Sequence, residues 1–175
     1  MPIQRAREAI SQGRLRTLAR RLVNASTLCA ISTVSDDGRA HINTAYFAFS
    51  ASFDIIWLSA PEAHHSRNLR RRPSVAIAVY DSAQKWGGSD RGIQVLGSAR
   101  ELTGRSAREA ERIYGRRFRS YARNDPTAYR FYRLRPTRLK LFHERELGGA
   151  TFVTARVSRG GILKWERTES YVSPA

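Results

Sequence analysis

The residues best placed to do chemistry lie in one short segment, His64-His65-Ser66-Arg67-Asn68-Leu69-Arg70-Arg71-Arg72-Pro73. It brings imidazole, hydroxyl, guanidinium and amide groups together, and with the first amides of a helix such groups bind a phosphate or another oxyanion. Arg67 is the strongest candidate, because a guanidinium grips two oxygens of one anion at once. Its competing role is a solvated helix charge. For Asn68 the competing role is an ordinary amide at a helix C-terminus. His64 and His65 do not suggest a metal. Adjacent helical residues point apart, and no carboxylate or thiol stands at ligand spacing from them. Elsewhere the chain shows no nucleophile, base and orienting acid set, no Walker-type glycine loop and no dinucleotide fingerprint. No catalytic side chain is assigned, so any reactivity must come from a cofactor.

The elements that must hold this segment follow from periodicity. Asp54 to Ala60 and Ser74 to Tyr80 are apolar runs that read as strands on either side of it. Between them Pro61 to Arg71 reads as a short helix that Pro73 brings to an end. Upstream, Ile3 to Asn24 has near-helical spacing and reads as one or two helices, with Gly13 as a possible break. Thr27 to Ser35 and Ala40 to Ser50 read as a hairpin, whose turn Asp36-Asp37-Gly38-Arg39 uses Gly38 for a positive φ. Along its second strand Ile42, Thr44, Tyr46 and Ala48 share one face; His41, Asn43, Ala45, Phe47 and Phe49 share the other. Both faces then need cover, as in a barrel wall or a dimer seam. Downstream, Gly92 to Leu102 reads as a strand in which Gly97 marks a bulge or a close approach. Thr103 to Asn124 reads as a helix, with a capping box at Ser106 and Glu109 and an apolar stripe through Ala110, Ile113, Tyr114, Phe118 and Tyr121. Tyr129 to Glu146 and Thr151 to Val157 read as strands around the turn glycines Gly148 and Gly149. The expected fold class is mainly β with some α: an antiparallel split β-barrel with flanking helices. It is expected as a single domain over residues 1–175, with a helical segment at 3–24 and a barrel core at about 26–157.

Composition narrows the partners. With 175 residues and 41% apolar residues the chain can bury a real core. Its apolar runs are too short to cross a bilayer, and Met1 to Ser26 alternates arginines with apolar residues rather than forming a signal-peptide core; a cytoplasmic protein without membrane attachment is expected. Cys29 is the one cysteine, which excludes an internal disulfide and reads as a small core residue. The net charge of +16 suits anionic ligands or nucleic acid. The arginines are scattered along the chain, however, from Arg5 to Arg167, as an arginine-biased composition would give without a selected partner. Nucleic acid therefore ranks last among the readings.

The order of these elements carries a resemblance. With Gly38 in the first turn, the basic helix ending in Asn68-Leu69 and Pro73, and the strand Gly92-Ile93-Gln94-Val95-Leu96-Gly97-Ser98-Ala99, the chain resembles the pyridoxamine 5'-phosphate oxidase-like, flavin-binding split-barrel family. The resemblance is strong over roughly Leu22 to Leu102. It implies a homodimer with FMN in grooves between the subunits and a small-molecule substrate. It places Ile42, Asn43, Thr44 and Ser59 beside the flavin, Ser66, Arg67 and Asn68 with help from His65 at its phosphate, and Gln94 at the pyrimidine edge. Two positions depart from the family pattern: Asn43 stands where an arginine is common and His65 where a lysine is, and both changes lower the positive charge. A deazaflavin or a haem, with His143 or His65 near the iron, therefore stays open as the cofactor. The residues by which the true pyridoxamine phosphate oxidases hold their substrate are not matched, Trp165-Glu166-Arg167 being a loose echo. Vitamin B6 oxidation is not implied. Trp86, beside Gly87 and Gly88, reads as a mobile lid.

Overall fold

The computed structural model describes residues 3–6, 9–121 and 128–172. The chain divides into two compact units, one of residues 27–77 and 96–136, the other of residues 1–26, 78–95 and 137–175.

The first unit holds strands β2 (Leu28–Val34), β3 (Ala40–Phe49) and β4 (Ile55–Ser59), and helices α2 (His64–Arg71) and α3 (Gly104–Arg117). It also takes the start of β5 (Ser74–Tyr80), the end of β6 (Arg91–Glu101) and the start of β7 (Arg130–His143). The strand order is β7-β4-β3-β2-β5-β6, and β6 pairs back onto β7, so these six strands close into a barrel. The fold is the antiparallel split barrel expected from the sequence.

Burial explains the closure. Ile31, Phe47, Ile55, Trp57, Tyr132 and Leu134 are all buried, with the Trp57 and Tyr132 rings stacked at 5.7 Å. On another face Ala48, Ile56, Leu102, Ala110, Tyr114 and Phe131 form a cluster to which α3 contributes. The run Ile55-Ile56-Trp57-Leu58 is continuous rather than alternating because β4 is covered on both faces. Gly38 has φ 84° in the β2–β3 turn, as its type predicts. Gly97 marks a close approach: a Cβ there would overlap the backbone carbonyl oxygen of Arg135.

The second unit contains β1 (Ile3–Ala6), α1 (Gln12–Asn24), α4 (Glu144–Leu147), β8 (Thr151–Ser158) and β9 (Ile162–Tyr171), with the remaining parts of β5, β6 and β7. β1 pairs with β9, β9 with β8, and β8 with β7, all antiparallel. Helix α1 buries Leu15, Leu18, Ala19, Leu22 and Val23, and Ser11 caps it by accepting the Arg14 N–H.

Several expected elements change. Ile3–Ala6 is a strand, not the start of a helix, because it finds hydrogen-bonding partners on β9. Gly13 lies inside α1; its break precedes Ser11. The capping box fails, since α3 starts at Gly104 and Glu109 pairs with Arg133 instead. Residues 122–124 of the expected helix lie outside the described residues. The expected strand to Glu146 ends at His143 and turns into α4, and β9 has no counterpart in the sequence reading. Among the described residues no helix is long and apolar enough to cross a membrane.

Candidate functional site

Helix α2 is eight residues long and bounded by its flanks: Arg72 N–H returns to the Asn68 carbonyl at 2.8 Å, and Pro73 follows. Arg70 and Arg71 sit in its last turn, where the helix dipole favours cations. Its amphipathicity is polar on both sides. His65, Ser66, Asn68 and Leu69 are buried, while His64, Arg67 and Arg70 are exposed.

The buried side is stitched by side-chain hydrogen bonds. Ser66 donates to Ser59 Oγ at 3.3 Å. Asn68 Nδ2 donates to Thr33 Oγ1 at 3.0 Å and to Ser35 Oγ at 3.4 Å, so both of its N–H groups are engaged within the protein. Ser35 Oγ in turn lies 3.1 Å from His64 Nε2. These contacts fix α2 against β2 and β4 and leave its outer side presented to a cleft of about 620 Å³.

Arg39, Arg67, Arg70 and Arg71 line that cleft with Asp36 and Asp37, so it carries two more cations than anions. Three of the arginines have local acids: Arg71 pairs with Asp36 at 2.8 Å, Arg39 with Asp37 at 3.4 Å and Arg70 with Glu62 at 3.8 Å. Arg67 lies on the cleft with no side-chain partner among the described residues. The rings of His41 and His64, also on the cleft, lie 4.3 Å apart. Burial, reinforced by the neighbouring His41 and His64, lowers the pKa of His65 and so favours its neutral imidazole.

The structure thus brings Arg67 and Asn68 together at one cleft. Ser59, His65 and Ser66 are buried and do not line it. On β3, Asn43 is half-buried, whereas Ile42 and Thr44 lie exposed on the opposite face of the strand. Gln94 is exposed on the part of β6 that belongs to the other unit. Cleft residues that the sequence did not single out are Ser35, Asp36, Asp37, Arg39 and His41. Their one signal was the charged turn Asp36-Asp37-Gly38-Arg39, which only the fold places opposite α2. His143 is almost buried, with Nε2 3.6 Å from Glu146. Trp86 is fully exposed. Cys29 is buried, and burial pushes its thiol up to about 12, which suits an inert core residue.

Residues 15–143, most of the chain, match the family model described as pyridoxamine 5'-phosphate oxidase. The chain belongs to the pyridoxamine 5'-phosphate oxidase-like family. Among solved structures, a heme binding protein from Mycobacterium smegmatis is 13% identical, with a TM-score of 0.64 over 91% of this chain and 89% of that one. A conserved hypothetical protein from Mycobacterium tuberculosis is 20% identical, with a TM-score of 0.63 over 83% and 92%. A Clostridium acetobutylicum protein related to general stress protein 26, of the pyridoxinephosphate oxidase family, is 12% identical, with a TM-score of 0.63 over 85% and 97%. At these identities the likeness is one of fold. Among curated proteins none matches the sequence.

The donor set of this family member fits a phosphate-bearing group. Arg67 on the cleft is unpaired among the described residues, and His41 Nδ1, on the same cleft, is buried without a hydrogen-bond partner; Asn43 Oδ1 and His65 Nε2 are unmatched too but do not line it. Buried polar atoms are ordinarily satisfied, so the unmatched His41 Nδ1 marks the cleft wall as a place where polar matter belongs.

Proposed function

We propose that this protein is an FMN-binding flavoprotein oxidoreductase that works as a homodimer on a small molecule. The observation that carries the reading is Arg67, the one cleft arginine whose charge is not met by an acid or carbonyl of the described chain. A nearly dianionic phosphate is the complement of that arrangement. Asn68 acts through position: with both N–H groups held by Thr33 and Ser35, it fixes the helix that carries Arg67. Ser66 does the same from its bond to Ser59. Neutral His65 adds no charge, so Arg67 takes the part that a lysine at position 65 would share.

Bound FMN supplies a ring that accepts or gives up hydride. The chain holds the phosphate with Arg67 and offers Asn43 Oδ1 as an unused acceptor. A homodimer is supported by an exposed apolar strip on one face of β2 and β3, where Leu28 stands opposite Tyr46 and Ile42 lies further along. The test is an absorbance spectrum of the native protein, alone and after FMN is added, with sedimentation to give the oligomeric state. A flavin spectrum shifted from that of free FMN supports the reading. An unshifted spectrum at saturating FMN rejects it.

A haem reading draws on the fold shared with the Mycobacterium smegmatis heme binding protein. Neither proposed histidine is well presented, since His65 is buried and His143 is held by Glu146. A Soret band after haem addition that one histidine substitution abolishes would favour it. Reconstitution with a deazaflavin in place of FMN separates the remaining cofactor.

A further inference from the structure

A second basic cleft lies away from α2, on β6 and β7. It has a volume of about 190 Å³ and is lined by Ser98, Arg100, Arg133 and Arg135, with Pro73 and Ala99 completing its wall. Arg100 and Arg135 are exposed, and neither has an ion-pair or hydrogen-bond partner among the described residues. Arg133 differs from them. Its side chain is only 9% exposed and is held from behind by Glu109 at 3.1 Å and Asp54 at 3.9 Å, while its Nε has no acceptor.

Placing three guanidinium groups around one small cavity is unfavourable unless an anion offsets their repulsion. Glu109 and Asp54 form ion pairs with Arg133, and Asp54 also acts on Arg135 through space without pairing with it, so Arg100 and Arg135 keep their guanidinium donors for an external anion. The strands run close together at this cleft: a Cβ at Gly97 would overlap the Arg135 carbonyl oxygen. Ser98 adds a hydroxyl at the same rim. The cavity admits a tetrahedral oxyanion and is far smaller than a nucleotide requires.

We propose that this cleft binds a phosphate group, either free phosphate or the end of a small phosphomonoester, between Arg100 and Arg135 with Ser98 as a further donor. The site is separate from the flavin reading and stands whether or not FMN binds. The probes are inorganic phosphate and glycerol phosphate, titrated into the full-length protein by calorimetry and by NMR of the arginine side chains. Sodium chloride at matched ionic strength is the control. Phosphate is expected to weaken by about tenfold or more in each of Arg100→Gln and Arg135→Gln, since each removes a charged hydrogen bond. Arg67→Gln leaves this site unchanged, which separates it from the α2 cleft. Arg135→Lys, which keeps the charge and loses the fork, gives an intermediate affinity. Tighter binding of glycerol phosphate identifies the phosphomonoester as the ligand, and equal or weaker binding identifies free phosphate. The proposal is overturned if phosphate fails to bind up to about 10 mM, if chloride competes as well as phosphate, or if Arg100→Gln/Arg135→Gln binds like the parent.

Discussion

Replacing Arg67 by alanine tests the site at the point where the geometry is most specific. A hydrogen bond to a charged group contributes about 1.5 to 3 kcal/mol, and a guanidinium on phosphate makes two in parallel. Arg67 is exposed, so solvent screening puts the expected loss at the lower end, about 1.5 kcal/mol, or roughly tenfold in Kd. Neighbouring cations do not make up the loss, because Arg39, Arg70 and Arg71 are already turned toward Asp37, Glu62 and Asp36. The assay is a fluorescence titration with FMN and, in parallel, with riboflavin, which has the same ring and no phosphate. Arg67→Ala should weaken FMN about tenfold and leave riboflavin unchanged; Arg67→Lys should fall between. Equal weakening of both ligands would place Arg67 at the ring or in the fold, and no change in FMN would remove it from the site. Either result refutes the clamp.

Other consequences follow from the same contacts. Asn68→Ala deletes one buried and one part-buried hydrogen bond and strands Thr33 Oγ1 without its donor; a loss of about 2 kcal/mol is expected, read as a Tm lower by about 4 to 8 °C. His65 has a folded pKa below its unfolded value, so the unfolded chain binds the extra proton. Its contribution is full above about pH 6.5 and declines as pH falls toward the folded pKa; denaturant midpoints should therefore drop less between pH 7 and 5 in His65→Gln than in the parent. Gly97→Ala forces a methyl group into the Arg135 carbonyl and should cost about 3 kcal/mol in urea unfolding, more than a surface glycine such as Gly115.

Local pattern made much of the barrel legible. β5 was bounded at Ser74 and Tyr80 by alternation and by Pro73, and the β2–β3 turn by the need for a positive φ at Gly38. The continuous run at β4 announced a strand covered on both faces. β9 was missed because Lys164, Trp165, Glu166 and Arg167 break the apolar alternation; its stability comes from pairing with β8 and β1 and from the packing of α1, not from its own residues. The same cause hid β1, whose four residues make a strand only because β9 offers an edge.

The site divides along the same line. The sequence alone determined that a basic, donor-rich helix joins β4 to β5, because covalent order and periodicity act over a few residues. Which of its arginines is available was decided by tertiary structure. Asp36 lies 35 positions before Arg71 and neutralises it across the cleft, and Asn68 turns inward because Thr33 and Ser35 meet it there. Charge pairing depends on distance in space, and a linear chain does not contain that distance until the barrel closes.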